Sequence, residues 1–203
     1  LERVDHERLP VNGEQTSLFS VRELQGATYG AVAEPLTISL ETLQTWTRRV
    51  YQFQQLVQVG TAIEQGNLFA APPSPETIAE AIAPFALPQQ NIDFWRWQFT
   101  DTGTAAYYFV IDYQLPILLY VGETVKANQR WKGEHDCKRY VENYVLAHRQ
   151  AGASPTIGIA FLHWAPTDTH ARQQLETALI YRWRSPFNKQ NWTFWGTPFT
   201  GGK

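Results

Sequence analysis

Methionine is absent from all 203 residues, and cysteine occurs once, as Cys137. The missing methionines include an initiator, which leads us to expect a processed or trimmed chain. A single cysteine excludes an internal disulfide, fits a reducing compartment and points to a cytoplasmic protein. Cys137 itself reads as a small, semi-buried residue. No apolar run approaches the roughly 18 residues of a membrane-spanning helix, so no membrane is expected as a partner. The opening LERVDHERLP has neither the basic start nor the apolar core of a secretory signal. Charge is sparse as well: 18% of residues are charged against 43% hydrophobic, with a net charge of −2. That composition belongs to an ordinary globular protein and is far from the disordered class.

What charge there is divides unevenly. Residues 1–99 hold 6 basic and 11 acidic side chains; residues 100–203 hold 11 and 8. A polyanion, if the chain binds one, belongs to the second half.

The compositional boundary is the stretch 70–90, AAPPSPETIAEAIAPFALPQQ, with five prolines. We divide the chain into an N-terminal region, 1–95, and a second unit, 96–203. In the first, Ser39 starts an amphipathic helix over Leu40–Val57 that turns Leu43, Trp46, Val50, Phe53 and Leu56 inward. Ser74-Pro75-Glu76 reads as an N-cap, a proline at the first helical position and an early acidic residue. The first 35 residues show little periodicity. In the second unit, Ala105–Ile111 and Ile117–Gly122 are β-prone apolar runs joined by a turn, hence a hairpin. A basic helical stretch follows, Val125 to Lys132, interrupted by Gly133. A longer helix spans Asp136–Gln150, a loop 151–155 and a third strand Thr156–Trp164. Asp168 then caps a last helix, ended by Pro186 near Arg184. The expected fold is α/β of the α+β kind, a small three-stranded antiparallel sheet flanked by helices, with a mostly helical or irregular N-terminal extension.

The stretch LLYVGET, Leu118–Thr124, ends a buried strand with a phenol beside a glycine. Tyr108 on the first strand and Tyr120 on the second can lie side by side on one face of a hairpin. Gly122 leaves room for a backbone or a phosphate to come close. Arg130, eight residues on, can swing back over the same edge, and Glu176 sits at the margin of the core-facing side of the last helix. Two phenols, an arginine and a carboxylate suit phosphodiester hydrolysis. Singly, each also reads as an ordinary packing or surface residue.

Taken in order, AYYFVID, LLYVGET, QRWKGEH and LETALIYRWRSPFN resemble the GIY-YIG nuclease family over residues 104–192. Ala106-Tyr107-Tyr108 stands at the Gly-Ile-Tyr triplet and Tyr120-Val121-Gly122 at Tyr-Ile-Gly. Arg130 has the family's spacing, and Glu176 and Asn188 match its metal-binding glutamate and terminal asparagine. The resemblance implies a DNA endonuclease with one magnesium or manganese ion at Glu176. It also implies that Tyr108 or Tyr120 takes a proton from the attacking water, directly or through hydrogen bonding. Arg130, Gly122 and Lys126 would lie at the scissile phosphate, and Asn188 would brace the site. Three departures stand out. Ala106 replaces the first glycine. Glu123 replaces a lysine or small polar residue, so its carboxylate must turn away from the phosphate or join the metal. Glu134 stands at a histidine or tyrosine position, which His135 fills if Gly133 bends the helix.

In the N-terminal region, QTSLF (Gln15, Leu18, Phe19) and QGNLF at 65–69 resemble peptides that dock into the bacterial sliding clamp, with Leu and Phe in an apolar pocket. NIDFWRWQF at 91–99 and NWTFWGTPF at 191–199 read as packing segments, or as stacking surfaces for bases. DNA is the expected partner and the clamp a further one. The alternatives to an enzyme are a nucleic-acid-binding protein that kept the nuclease fold and a clamp-recruited adaptor.

Overall fold

The computed structural model describes residues 38–59, 73–90, 105–125 and 136–200. Its α-helices are α1 (Leu40–Val59), α2 (Pro75–Ala81), α3 (Asp136–Gln150), α4 (Thr169–Trp183) and α5 (Trp192–Trp195). Four strands, β1 (Gln89–Gln90), β2 (Ala106–Asp112), β3 (Ile117–Thr124) and β4 (Ile157–Leu162), form one antiparallel sheet in the order β1-β4-β2-β3. The expected three-stranded sheet therefore gains a fourth strand among the described residues. β1 escapes sequence reading because it is two polar residues long, follows a proline and has no alternation to detect. Gly158 of β4 leaves the space in which the Gln89 amide lies.

Local chemistry sets the helix starts. The Ser74 hydroxyl accepts from the Thr77 N–H ahead of Pro75, and the Asp168 carboxylate accepts from the Ala171 N–H at 2.8 Å. Each satisfies a donor that the first turn leaves without a partner. The Ser39 hydroxyl does the same for the Thr42 N–H.

Every residue of β2 is buried, so the sheet is covered on both faces. Ala106, Tyr108 and Val110 face one core with Leu43, Trp46 and Val50 of α1, Tyr140, Val141 and Tyr144 of α3, and Phe187, Trp195 and Phe199. Tyr107, Phe109 and Ile111 face the other, with Ala79 of α2 and Leu175, Leu179 and Trp183 of α4. The aromatic C-terminal segment packs: Trp195 and Phe199 are buried, although Phe194 is exposed. Cys137 is a fully buried free thiol.

The inward stripe of α1 differs from the expected one at its end. Leu56 is 75% exposed, while Gln54 is fully buried. Leu43, Trp46, Val50, Gln54 and Val57 follow the helical period; Phe53 lies beside that line against Phe194 and Trp195. Counting apolar residues passes over a glutamine, and this one has a specific task. Its Oε1 accepts from the Leu118 N–H at 2.7 Å, and its Nε2 donates to Leu118 O and Trp183 O. It therefore pairs with the outer edge of β3 as a neighbouring strand would.

At the same end of the hairpin, Asp112 accepts from the Gln114 and Thr156 N–H groups and from the Tyr144 hydroxyl at 2.9 Å. One carboxylate thus ties the hairpin turn, the entry to β4 and α3 together. The Tyr144 ring lies tilted against that of His148, whose Nδ1 donates to Tyr144 O. Burial holds the His148 pKa below its ordinary 6.5, against the opposing pull of the Tyr144 carbonyl and Asp112.

Replacing Gln54 by leucine leaves three buried backbone groups without their partner. At about 1–3 kcal/mol for an unsatisfied buried group, we expect a loss of about 2–4 kcal/mol in urea unfolding. A midpoint unchanged from the parent would show that the edge is satisfied some other way. His148 gives a pH signature. Its folded pKa is lowered, so the unfolded chain binds the proton first and stability falls as pH drops below 6.5, levelling off beneath the folded value. His148→Gln should flatten that part of the stability–pH curve relative to the parent.

Candidate active site

The residues singled out in the sequence meet on β3 between Tyr120 and Glu123. Tyr108 and Tyr120 project from neighbouring strands onto one face, their rings stacked with centroids 5.9 Å apart. They are not direct partners in the ladder: Tyr108 faces Gly122, and Tyr120 faces Val110. Leu119 has no partner in that register and forms a bulge, which brings both Leu119 and Tyr120 onto the α3-facing side. Tyr108 is fully buried and Tyr120 partly exposed. Burial above all, then the adjoining Tyr108 phenol, pushes the Tyr120 pKa far above that of an ordinary tyrosine. Tyr120 is thus a neutral phenol at physiological pH, hydrogen bonded to Tyr108.

Gly122 has a different immediate purpose from the one expected. A Cβ built there would overlap Cζ and Oη of Tyr108. The glycine is needed because the Tyr108 phenol lies flat across it, an aromatic side chain covering a cross-strand glycine.

Two side chains reach the outer edge of the same segment. Asn188, buried, accepts from the Val121 N–H at 2.9 Å and donates to Val121 O at 2.8 Å, while the Ser185 hydroxyl donates to its Oδ1. Its amide is committed to the backbone, so it positions β3. Glu176, half-buried on α4, accepts from the Glu123 N–H at 3.1 Å through Oε1. The Glu123 side chain is ion-paired, with Arg172 Nε donating to its Oε2 at 2.6 Å. Arg172 is 4% exposed and also donates to Pro166 O, Thr167 O and the Thr169 hydroxyl. Below it, Tyr107 donates to Arg172 O.

Lys126, Arg130 and His135 lie outside the described residues, as do the helix expected after Val125, the segment 91–99 and both Gln-x-x-Leu-Phe segments, with Gln15, Leu18 and Phe19. Sequence reasoning overlooked Arg172 and Gln54. Arg172 carries no local signal, because its acidic partner is 49 residues away.

Among the described residues no three His, Cys, Asp or Glu side chains gather into a metal cage. The hard donors at the edge are carboxylates: Glu176, bonded to the Glu123 N–H, and Glu123, ion-paired with Arg172. Such a site fits magnesium, which keeps most of its waters and takes one or two carboxylates plus phosphate oxygens. No helix among the described residues is long and apolar enough to cross a membrane. Comparison of the chain with family models, with curated proteins and with solved structures finds no match.

Gly122→Ala should cost about 1–3 kcal/mol, the usual penalty for overpacking a close-packed site. In a double-mutant cycle with Tyr108→Leu, the two losses should be strongly non-additive, because leucine vacates the space that the new methyl needs. Additive losses would mean that the ring is not what demands the glycine.

Proposed function

We propose that this chain is a divalent-metal-dependent endonuclease of the GIY-YIG type that hydrolyses DNA phosphodiester bonds. The observation that carries this reading is convergence. Tyr108, Tyr120, Glu176 and Asn188, 80 residues apart at the extremes of the sequence, come together on the four residues Tyr120–Glu123. Chance packing of four unrelated side chains gives no reason for a phenol pair and a carboxylate to share one strand end.

Each group has a task set by its environment. Glu176 would hold magnesium or manganese, which supplies Lewis-acid polarisation of the phosphate and a more acidic bound water. Its Oε1 bond to the Glu123 N–H fixes the carboxylate against the strand. Tyr120 stays protonated, so it orients the attacking water as a neutral hydrogen-bonding group and does not serve as a phenolate base. Tyr108, fully buried, acts through Tyr120. The resemblance implies that Arg130 and Lys126 would supply cationic contacts to the phosphate, and that His135 would join them if Gly133 bends the helix.

The second reading is a nucleic-acid-binding protein that kept the fold, and the deep burial of Tyr108 favours it. Plasmid nicking separates the two. With magnesium or manganese at low salt the parent protein should nick supercoiled DNA. Glu176→Ala should lower the rate by about 100-fold or more, the usual scale for removing a principal electrostatic group. Tyr120→Phe should lower it by about 10- to 100-fold while keeping the ring stack. Parent protein that binds DNA without nicking it in either metal, or a Glu176→Ala protein as active as the parent, would favour the binding role.

A further inference from the structure

Glu123 poses an electrostatic problem for any site that accepts a phosphodiester. It neighbours Gly122, and its own N–H is bonded to the Glu176 carboxylate. Two carboxylates at one strand end repel a phosphate and together form a tighter cation site than either alone. The side chain of Glu123 is 22% exposed.

Resting on the nuclease reading, we propose that Arg172 is a positioning residue that draws the Glu123 carboxylate back from the edge, leaving Glu176 as the one carboxylate presented to cation and phosphate. The geometry is built for holding. Arg172 is 4% exposed, and its guanidinium is fixed by Pro166 O, Thr167 O and Thr169 Oγ1 on one side. That leaves Nε to donate to Glu123 Oε2 at 2.6 Å. The anchor itself is rigid. Arg172 lies in the first turn of α4, where the Asp168 carboxylate caps the helix and its carbonyl accepts from the Arg172 N–H. The Tyr107 hydroxyl, from the middle layer of the sheet, donates to Arg172 O. Glu176 stands one helical turn further along the same helix, so Arg172 sets the distance between the two carboxylates as well as neutralising one of them.

The proposal makes two effects of opposite sign. Releasing Glu123 should tighten cation binding, by adding a ligand, and weaken DNA binding, by adding a negative charge. Damage to the fold would weaken both. The test uses the full chain with Arg172→Gln, Arg172→Lys, Glu123→Gln and the Arg172→Gln/Glu123→Gln double variant. Free manganese is titrated by its electron paramagnetic resonance signal. Duplex affinity is measured in calcium. Arg172→Gln should bind manganese about tenfold tighter and duplex about tenfold more weakly than the parent. Arg172→Lys, which keeps the charge, should stay close to the parent. The double variant should return to the manganese and duplex affinities of Glu123→Gln alone.

If Arg172→Gln loses both affinities and the second substitution restores neither, Arg172 serves the fold alone. If neither affinity moves, Glu123 is held by something else; both results overturn the proposal. Parent protein that binds no manganese, or binds it as well without Glu176, sinks the nuclease reading itself, a distinct result from either of these.

Discussion

An exposed strand edge is a row of backbone donors and acceptors that need partners, and in this protein the edge of β3 is where that need is greatest. The sheet ends there, with α1 and α4 converging on it, so water cannot serve along its buried part. The chain answers with side chains in place of a fifth strand. Gln54 takes both groups of Leu118, Asn188 takes both groups of Val121, and the Phe187 N–H donates to Leu119 O. Glu176 takes the Glu123 N–H. Amides are suited to this, because a primary amide offers a donor and an acceptor at the spacing of a peptide group. The same substitution secures the end of α4, where Gln54 and Asn191 donate to Trp183 O and Ile180 O. Arg184 then turns the chain in the left-handed region at φ 47°. Pinning the edge pins the turn that delivers Asn188, and the two are mutually dependent.

The two ends of the edge differ in the kind of group that caps them. At Leu118 the capping group is a neutral, buried amide with every polar atom used. At Glu123 it is a carboxylate, half-buried, near the C-terminal end of β3. A structural requirement, a partner for one N–H, places a charged oxygen donor beside Tyr120 and Gly122. The Tyr108 ring completes the surface by occupying the volume that a side chain at residue 122 would fill. Its reach depends on the Leu119 bulge, since without the extra residue Tyr120 would face the opposite core.

Much of this fold is legible in the sequence because its signals are local. The hairpin, the third long strand, α3, the caps at Ser74 and Asp168 and the stop before Pro186 each follow from a few adjacent residues. What is illegible is long-range or polar. Gln54 reads as an outward residue on any hydrophobic scale, yet it is fully buried, because its value lies in two backbone groups 64 residues away. β1 is too short to carry a period. The bulge at Leu119 leaves no trace in a run of apolar residues. In the candidate site, ordered triplets indicate which residues to watch. They do not disclose that Gly122 serves Tyr108, that Asn188 is consumed by Val121, or that Arg172 and Glu123 are paired.

The two tyrosines deserve a different weighting from the one their positions in the motif suggest. A base must lose its proton near the working pH, and burial moves Tyr120 in the wrong direction for that. Tyr108 cannot touch solvent at all. A stacked pair that stays neutral is still useful. On the proposed nuclease reading, one hydroxyl would accept from or donate to a water at the edge, and the other would fix the direction of the first. Its ring meanwhile covers the glycine. The charge needed to activate water must then come from Glu176 and the cation it would hold, and the negative charge of Glu123 must be kept out of that balance. On the proposed reading those two requirements fall on side chains of the same helix, one turn apart: Glu176 would supply the charge, and Arg172 would cancel the one that would spoil it.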